Sequence, residues 1–206
     1  LPEHGGPELF RIEEAPKPEL RPGHVLVKVA ASSVNPVDFK IRQGLIPIGP
    51  ELPGIIHGDM AGTGEDVGED VEGFSPGDEV YGCIGGFKGL PGVLADYALG
   101  DARLLAKKPS NLSMKDAAAL PLVTLPAWNA LMDRAKVREG QKVLVHAAAG
   151  GVGHVGLQLA KATGAEVHIT ASSAEKLALG KSLGADAGIN YRESSVEDYV
   201  SEYTEG

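Results

Sequence analysis

The stretch QKVLVHAAAGGVGHVGLQLAKATGAEVHIT, residues 141–170, constrains what this chain can fold into more than any other. An apolar run opens it, a loop of small residues follows, and an apolar-periodic segment then runs to Gly164. This pattern predicts a buried strand over 141–147, a helix over 154–164 stopped by Gly164, and a second strand over 165–170. The alternation continues with a helix over 172–184 ending at Gly184, a short strand over 187–190 and a helix over 194–206. Strands and helices in this order form a parallel α/β sheet.

The loop between the first strand and helix carries G-x-G-x-x-G at Gly151, Gly153 and Gly156. In that pattern Gly151 lets the chain turn sharply out of the strand. Gly153 lets the backbone approach a pyrophosphate, and Gly156 lets the helix pack closely on the sheet. The helix N-terminus adds free N–H groups and a partial positive charge. Strand before, helix after and second strand at the right distance are the context that a dinucleotide site requires. Gly150, Gly151, Val152 and Gly153 are therefore candidate phosphate-binding residues.

The end of the second strand decides between cofactors. An NAD site places an acid there to hold the ribose 2′-OH, whereas this chain has Thr170 and Ala171. The nearest acid, Glu175, is expected to form a capping box with Ser172. Ser172, Ser173 and Lys176 offer hydroxyls and a cation to a 2′-phosphate, which favours NADP(H).

Upstream of residue 113 the texture differs. HVLVKVAASSV (24–34) begins with strand-like alternation, PGDEVYG (76–82) is a turn entering a strand, and LADYALGDARLLAKKP (94–109) predicts strands broken by a Gly-Asp turn. The expected fold is α/β: a mostly β domain over 1–112, then a doubly wound parallel sheet from 113 to 206. The segment 113–135 is helical in character, with Pro121 and Pro126 as interruptions. The 19 basic and 28 acidic residues give a net charge of −9, which argues against a nucleic-acid surface. No apolar run approaches the ~20 residues of a membrane span. Cys83 is the sole cysteine, so no internal disulfide or cysteine-rich zinc site is available.

Taken together, SVNPVDFKIRQG (33–44), GDMAGTG (58–64), PGDEVYG, LPLVTLPAWNAL (120–131), HAAAGGVG and GADAGINYRE (184–193) resemble the medium-chain dehydrogenase/reductase superfamily, specifically its zinc-free quinone oxidoreductase branch. The resemblance implies a GroES-like substrate domain joined to a Rossmann domain that holds NADPH. It adds Tyr191, near the adenosine 2′-phosphate, to the candidate cofactor residues. The family's Thr before Ala-Trp, at the nicotinamide end, is Pro126 here, and Thr124 is the candidate substitute. Lys40, read from the residue itself, is either a partner for the phosphates or an oxyanion or a surface lysine. The resemblance implies hydride transfer to a quinone or α,β-unsaturated carbonyl. A homodimer is expected, and the single cysteine fits a cytoplasmic location. An enoyl-thioester reductase and a non-catalytic nucleotide-binding protein are the alternatives.

The zinc-dependent branch places Cys, His and Glu where this chain has Asn35, Gly58 and Asp59. Zinc is therefore not expected, and His57 is expected to be structural. Without zinc an acceptor carbonyl must be polarised by hydrogen bonds. Asn35 is the candidate donor, since its amide needs no pKa tuning; turn formation in VNP is its other reading. His146, His154 and His168 are expected to pack or hydrogen-bond. A full dinucleotide fold has six strands in the order 3-2-1-4-5-6, and this chain supplies the first three. It is accordingly expected to be part of a longer polypeptide, with strand 1 left at an edge.

Overall fold

The computed structural model describes residues 1–203, and the chain divides into two compact units, Leu1–Leu122 and a second starting at Val123. The change of sequence texture at Ser113 lies earlier than this division. The short helix after it, α2 (Met114–Ala118), buries Ala117 and Ala118 against Ala61 of the first unit's sheet.

In the first unit β1 (His24–Ser32) leads to a two-turn helix, α1 (Pro36–Arg42), and then to β2 (Asp59–Val67), β3 (Glu79–Cys83), β4 (Tyr97–Asp101) and β5 (Leu105–Lys107). The strands form one antiparallel sheet in the order β4-β1-β2-β3-β5. Val25, Val27, Met60, Val80, Ile84, Val93 and Ala98 are buried together as its core. β2, between β1 and β3, shows no alternation: its residues 59–62 are all buried. At Gly62 a Cβ would lie 2.3 Å from the Lys28 carbonyl oxygen, so only glycine lets these two strands meet there. The expected Gly-Asp turn is absent. Gly100 and Asp101 still pair with Val25 and His24, and the break is a single 3₁₀ turn over Ala102–Leu104, begun by the Asp101 carboxylate accepting from the Arg103 N–H at 2.9 Å.

The helix α3 (Pro121–Trp128) follows α2. Pro121 opens it, since proline has no N–H to satisfy at a helix start, while Pro126 lies inside it. Beyond it, residues 129–134 widen into a π turn, closed by the Ala135 N–H on the Ala130 carbonyl at 2.9 Å. Pro121 is thus a beginning and not an interruption.

In the second unit β6 (Lys142–Val145), α4 (Gly151–Ala162), β7 (Glu166–Ala171), α5 (Ala174–Ser182), β8 (Ala187–Asn190) and α6 (Val196–Tyr203) alternate as expected. The three strands are parallel in the order β6-β7-β8, with β6 at one edge. Leu157 and Ala160 of α4 pack on Val167 and Ile169 of β7, and all four are fully buried. Helices α4 and α5 stop where Gly164 and Gly184 take φ of 83° and 104°, the left-handed region that only glycine enters freely. The last residues of the helix expected over 194–206 lie outside the described residues. Among the described residues no helix is long and apolar enough to cross a membrane.

Candidate functional site

The expected site residues fall in both units: Asn35 and Lys40 in the first, and Thr124, Gly150 to Gly153, Ser172, Ser173, Lys176 and Tyr191 in the second.

In the second unit three elements bring most of them together. The Ala148 N–H bonds the Thr170 carbonyl at 3.2 Å, tying the loop after β6 to the end of β7, and the Tyr191 N–H bonds the Ala171 carbonyl at 3.2 Å. Gly150, in extended backbone, is the N-cap of α4 and has no side chain to close the helix end. The first-turn N–H groups of α4 are thereby left to water or a ligand. Val123 sits against Gly151, where a Cβ would be 3.1 Å from its Cγ1, so the segment carrying the half-buried Thr124 lies against the loop. Lys176 Nζ donates to Ser172 Oγ at 3.3 Å, and the Tyr191 ring is 51% exposed.

Two expected details differ, and Gly153 gains a further reason to be glycine. The sharp turn after the strand is made by Ala147, at φ 51°, and not by Gly151. Gly153 is confined by the protein itself: a Cβ there would lie 2.4 Å from the Ala147 carbonyl oxygen. Gly156 has room for a methyl group, whose nearest atoms, 3.7–3.8 Å away, belong to Leu131 and Ala127 and not to the sheet. The capping serine also shifts by one residue. Ser173, not Ser172, caps α5, its Oγ accepting from the Lys176 N–H at 3.4 Å, because β7 runs on to Ala171 and Ser173 is the last extended residue. Ser172 is released to meet the Lys176 ammonium.

The three histidines of this unit are hydrogen-bonded. His146 Nδ1 meets Thr170 Oγ1 at 3.2 Å, His154 Nδ1 donates to the Gly150 carbonyl at 3.0 Å, and His168 Nε2 meets Glu166 Oε1 at 2.7 Å.

The first unit holds a buried polar cluster at the start of α1 and β2. Asp59 is fully buried. One of its oxygens accepts from Asn35 Nδ2 at 2.9 Å and Ser33 Oγ at 3.0 Å, the other from the Leu122 N–H at 2.9 Å. Asn35 Nδ2 also donates to Ser33 Oγ at 3.2 Å. Both amide hydrogens of Asn35 are thus engaged, and its backbone N–H donates to Asp38 Oδ2 at 2.7 Å as α1 begins. This is the turn-and-anchor geometry, with no hydrogen left over for a ligand. Lys40 stands exposed on α1.

Burial pushes the Asp59 carboxyl up against the pull of its hydrogen bonds, and burial likewise raises Asp38. Burial first, then Asp59, pushes the Cys83 thiol far up, so it is an inert thiol at neutral pH.

Positions 35, 58 and 59 do not fit a zinc ion. At Gly58 a Cβ would lie 2.4 Å from the Phe87 ring and 2.8 Å from the Gly85 carbonyl oxygen, so no side chain has space there. Asn35 is bonded to Asp59, whose oxygens are already occupied.

His57, expected to be structural, differs from the hydrogen-bonded histidines of the second unit. It is 7% exposed, holds φ at 73°, and its Nδ1 has no hydrogen-bond partner. No periodicity or spacing in the sequence marks it.

Comparison with known proteins finds two family models that match the chain and relatives along nearly all of it. Residues 21–110 match the family described as alcohol dehydrogenase GroES-like domain, and residues 151–206 the one described as zinc-binding dehydrogenase. A 2-methylene-furan-3-one reductase of Solanum lycopersicum is 39% identical over 98% of this chain and 53% of its own length. An alcohol dehydrogenase superfamily protein from Novosphingobium aromaticivorans superposes with a TM-score of 0.92 at 45% identity, covering 98% of this chain and 60% of that one. The Escherichia coli quinone oxidoreductase, solved as a complex with NADPH, superposes at 0.81 and 31% identity over 97% of this chain and 60% of that one. The chain spans 53–61% of the length of the first curated relatives it matches.

Proposed function

The chain belongs to the medium-chain dehydrogenase/reductase superfamily, and from that premise we propose that its protein is a zinc-independent reductase that transfers hydride from NADPH to a quinone or α,β-unsaturated carbonyl. The observation that carries the reading is the donor set at the end of β7. Ser172, Ser173 and Lys176 gather there beside a strand end that carries no acid. Hydroxyls and an ammonium suit the 2′-phosphate that distinguishes NADPH from NADH, and a carboxylate would repel it.

In this reading the uncapped start of α4, with Gly150, Gly151, Val152 and Gly153, holds the pyrophosphate. The exposed Tyr191 ring lies at the adenosine end, while Thr124 and Lys40 serve the nicotinamide and phosphate portions. When bound, NADPH supplies the hydride. The first unit, taken as the substrate domain, supplies a rigid polar wall in which Asn35 locks Ser33 to Asp59. Quinone and enone acceptors suit a site without a Lewis acid, because their negative charge is delocalised and needs only hydrogen-bond donors. The zinc misfit at Gly58 supports this choice. A cytoplasmic homodimer completes the proposal, with light scattering as the check on assembly.

The deciding experiment is titration of the full-length protein with NADPH and NADH, then cofactor oxidation with a quinone, an alkenal and an enoyl thioester. Binding selective for NADPH, with turnover of quinone or alkenal, is expected. Turnover confined to the enoyl thioester, or binding without turnover, would replace this reading by one of its alternatives.

A further inference from the structure

Five polar or charged residues of the first unit are buried: Asn35, Asp38, Arg42, His57 and Asp59. Four of them are answered within the protein. Asn35 donates to Ser33 and Asp59, Arg42 donates to the Gly5 carbonyl, Asp38 accepts from the Asn35 N–H, and Asp59 accepts from three donors. His57 is the exception: its buried Nδ1 has no partner among the described residues. Its carbonyl accepts from the Val93 N–H at 3.0 Å, and its ring meets the Phe10 ring edge-on with centroids 6.2 Å apart. It also occupies the left-handed region, at φ 73°, which disfavours a side chain. A buried, unanswered imidazole on a strained backbone destabilises the folded unit in two independent ways, and strain of this kind collects at functional sites.

Resting on the reductase reading, we propose that His57 is the hydrogen-bond donor to the acceptor's carbonyl oxygen, the part for which Asn35 has no hydrogen free. Burial pushes the imidazole down, against the opposing pull of Asp38 and Asp59, so the ring is neutral near pH 7. Of the two neutral tautomers, burying a bare Nδ1 lone pair costs less than burying an unanswered N–H. The ring proton therefore sits on Nε2, and Nε2–H is the donor. A neutral imidazole polarises a carbonyl without surrendering its proton. When hydride adds at the β-carbon of an enone, the C=C π pair shifts and the carbonyl π pair moves onto oxygen. The enolate so formed is held by Nε2–H until solvent protonates it at the α-carbon.

The test compares the full-length protein with His57→Gly, which suits the backbone at φ 73°, and His57→Gln, whose terminal amide carries an N–H out to the level of Nε2. Two readouts are used: kcat with a quinone or enone, and binding of 4-nitrophenolate, an oxyanion mimic, by its absorbance shift. His57→Gly is expected to stay folded and keep its NADPH affinity, to lose on the order of 100-fold in kcat, and to bind nitrophenolate about 10-fold more weakly. His57→Gln is expected to recover a substantial part of both. Unchanged kcat and nitrophenolate affinity in a folded His57→Gly overturn the proposal, as does a folded His57→Gln no better than the glycine variant. If the unaltered protein turns over no acceptor, the reductase reading falls, while the nitrophenolate measurement still decides whether His57 is an oxyanion donor.

Discussion

The two units handle polar groups in opposite ways. Around Asp59 they are buried and answered by one another: an amide, a hydroxyl and a backbone N–H converge on one carboxylate. Around the start of α4 and the end of β7 they stand at the surface. There the helix end has no capping side chain, and Lys176 is exposed with only a long contact to Ser172. A network closed on itself fixes geometry and leaves little to offer a ligand. An open set holds weak internal bonds and keeps its donors for an anion. The first arrangement is stiff scaffold and the second is a binding edge. Two buried atoms of the first unit are left unanswered, His57 Nδ1 and Ser32 Oγ.

The largest effect that sharpens this contrast is expected from Asp59→Ala. One buried and two partly buried donors lose their acceptor at once, so chemical denaturation should show a loss of about 3 kcal/mol. A loss below about 1 kcal/mol would mean that the cluster is wetter and looser than described.

Next come two glycines of the G-x-G-x-x-G pattern, both inside α4, that sequence alone treats as alike. Gly153→Ala drives a methyl group into the Ala147 carbonyl and should cost about 2 kcal/mol while weakening NADPH binding. Lys176→Ala should then weaken NADPH binding about 10-fold, leave NADH binding unchanged and keep stability within about 0.5 kcal/mol. Equal losses for the two cofactors, measured by fluorescence titration, would remove Lys176 from the 2′-phosphate. Gly156→Ala, by contrast, should be neutral or stabilise by about 0.5 kcal/mol, since alanine favours a helix interior and the space is there.

The smallest effects are pH-dependent and run in opposite directions. Folding raises the Asp59 carboxyl, so the folded unit keeps a proton that the unfolded chain has released. That contribution is complete below the ordinary value of 3.8 and is lost as pH rises through the raised one. Partly buried Asp101 is pushed down to about 2, first by the Arg103 side chain. Its contribution is present above 3.8 and lost as pH falls toward about 2, and solvent screening keeps it small. Carboxyl carbon titration by NMR should place the two midpoints on opposite sides of 3.8. Two midpoints on the same side would break the contrast between answered burial and exposed pairing.

The second unit was legible because its signals are local. Lys142–Val145, Glu166–Ala171 and the glycines at 164 and 184 each state a strand or a helix end within a few residues. Its errors were of one residue or one role, as with Ser173 for Ser172, because a cap lies wherever the backbone leaves extended geometry. β2 and α1 of the first unit went unseen. Burial of residues 59–62 erases the alternation that marks a strand, and α1, with seven residues, is too short to show a period.

The sequence by itself determined the order of strands and helices, the glycine loop, and a donor set at the end of β7 that contains no acid. These follow from residue type and short-range spacing, which the chain carries wherever it goes. Only the tertiary structure decided that Asn35 is fully engaged, that no side chain fits at 58, and that His57 alone among the first unit's buried polar residues keeps an unanswered nitrogen. Each of these depends on which distant segments are pressed against one residue, and hydrogen bonds that join Asn35 to Asp59 and Asp59 to Leu122 have no counterpart in local sequence.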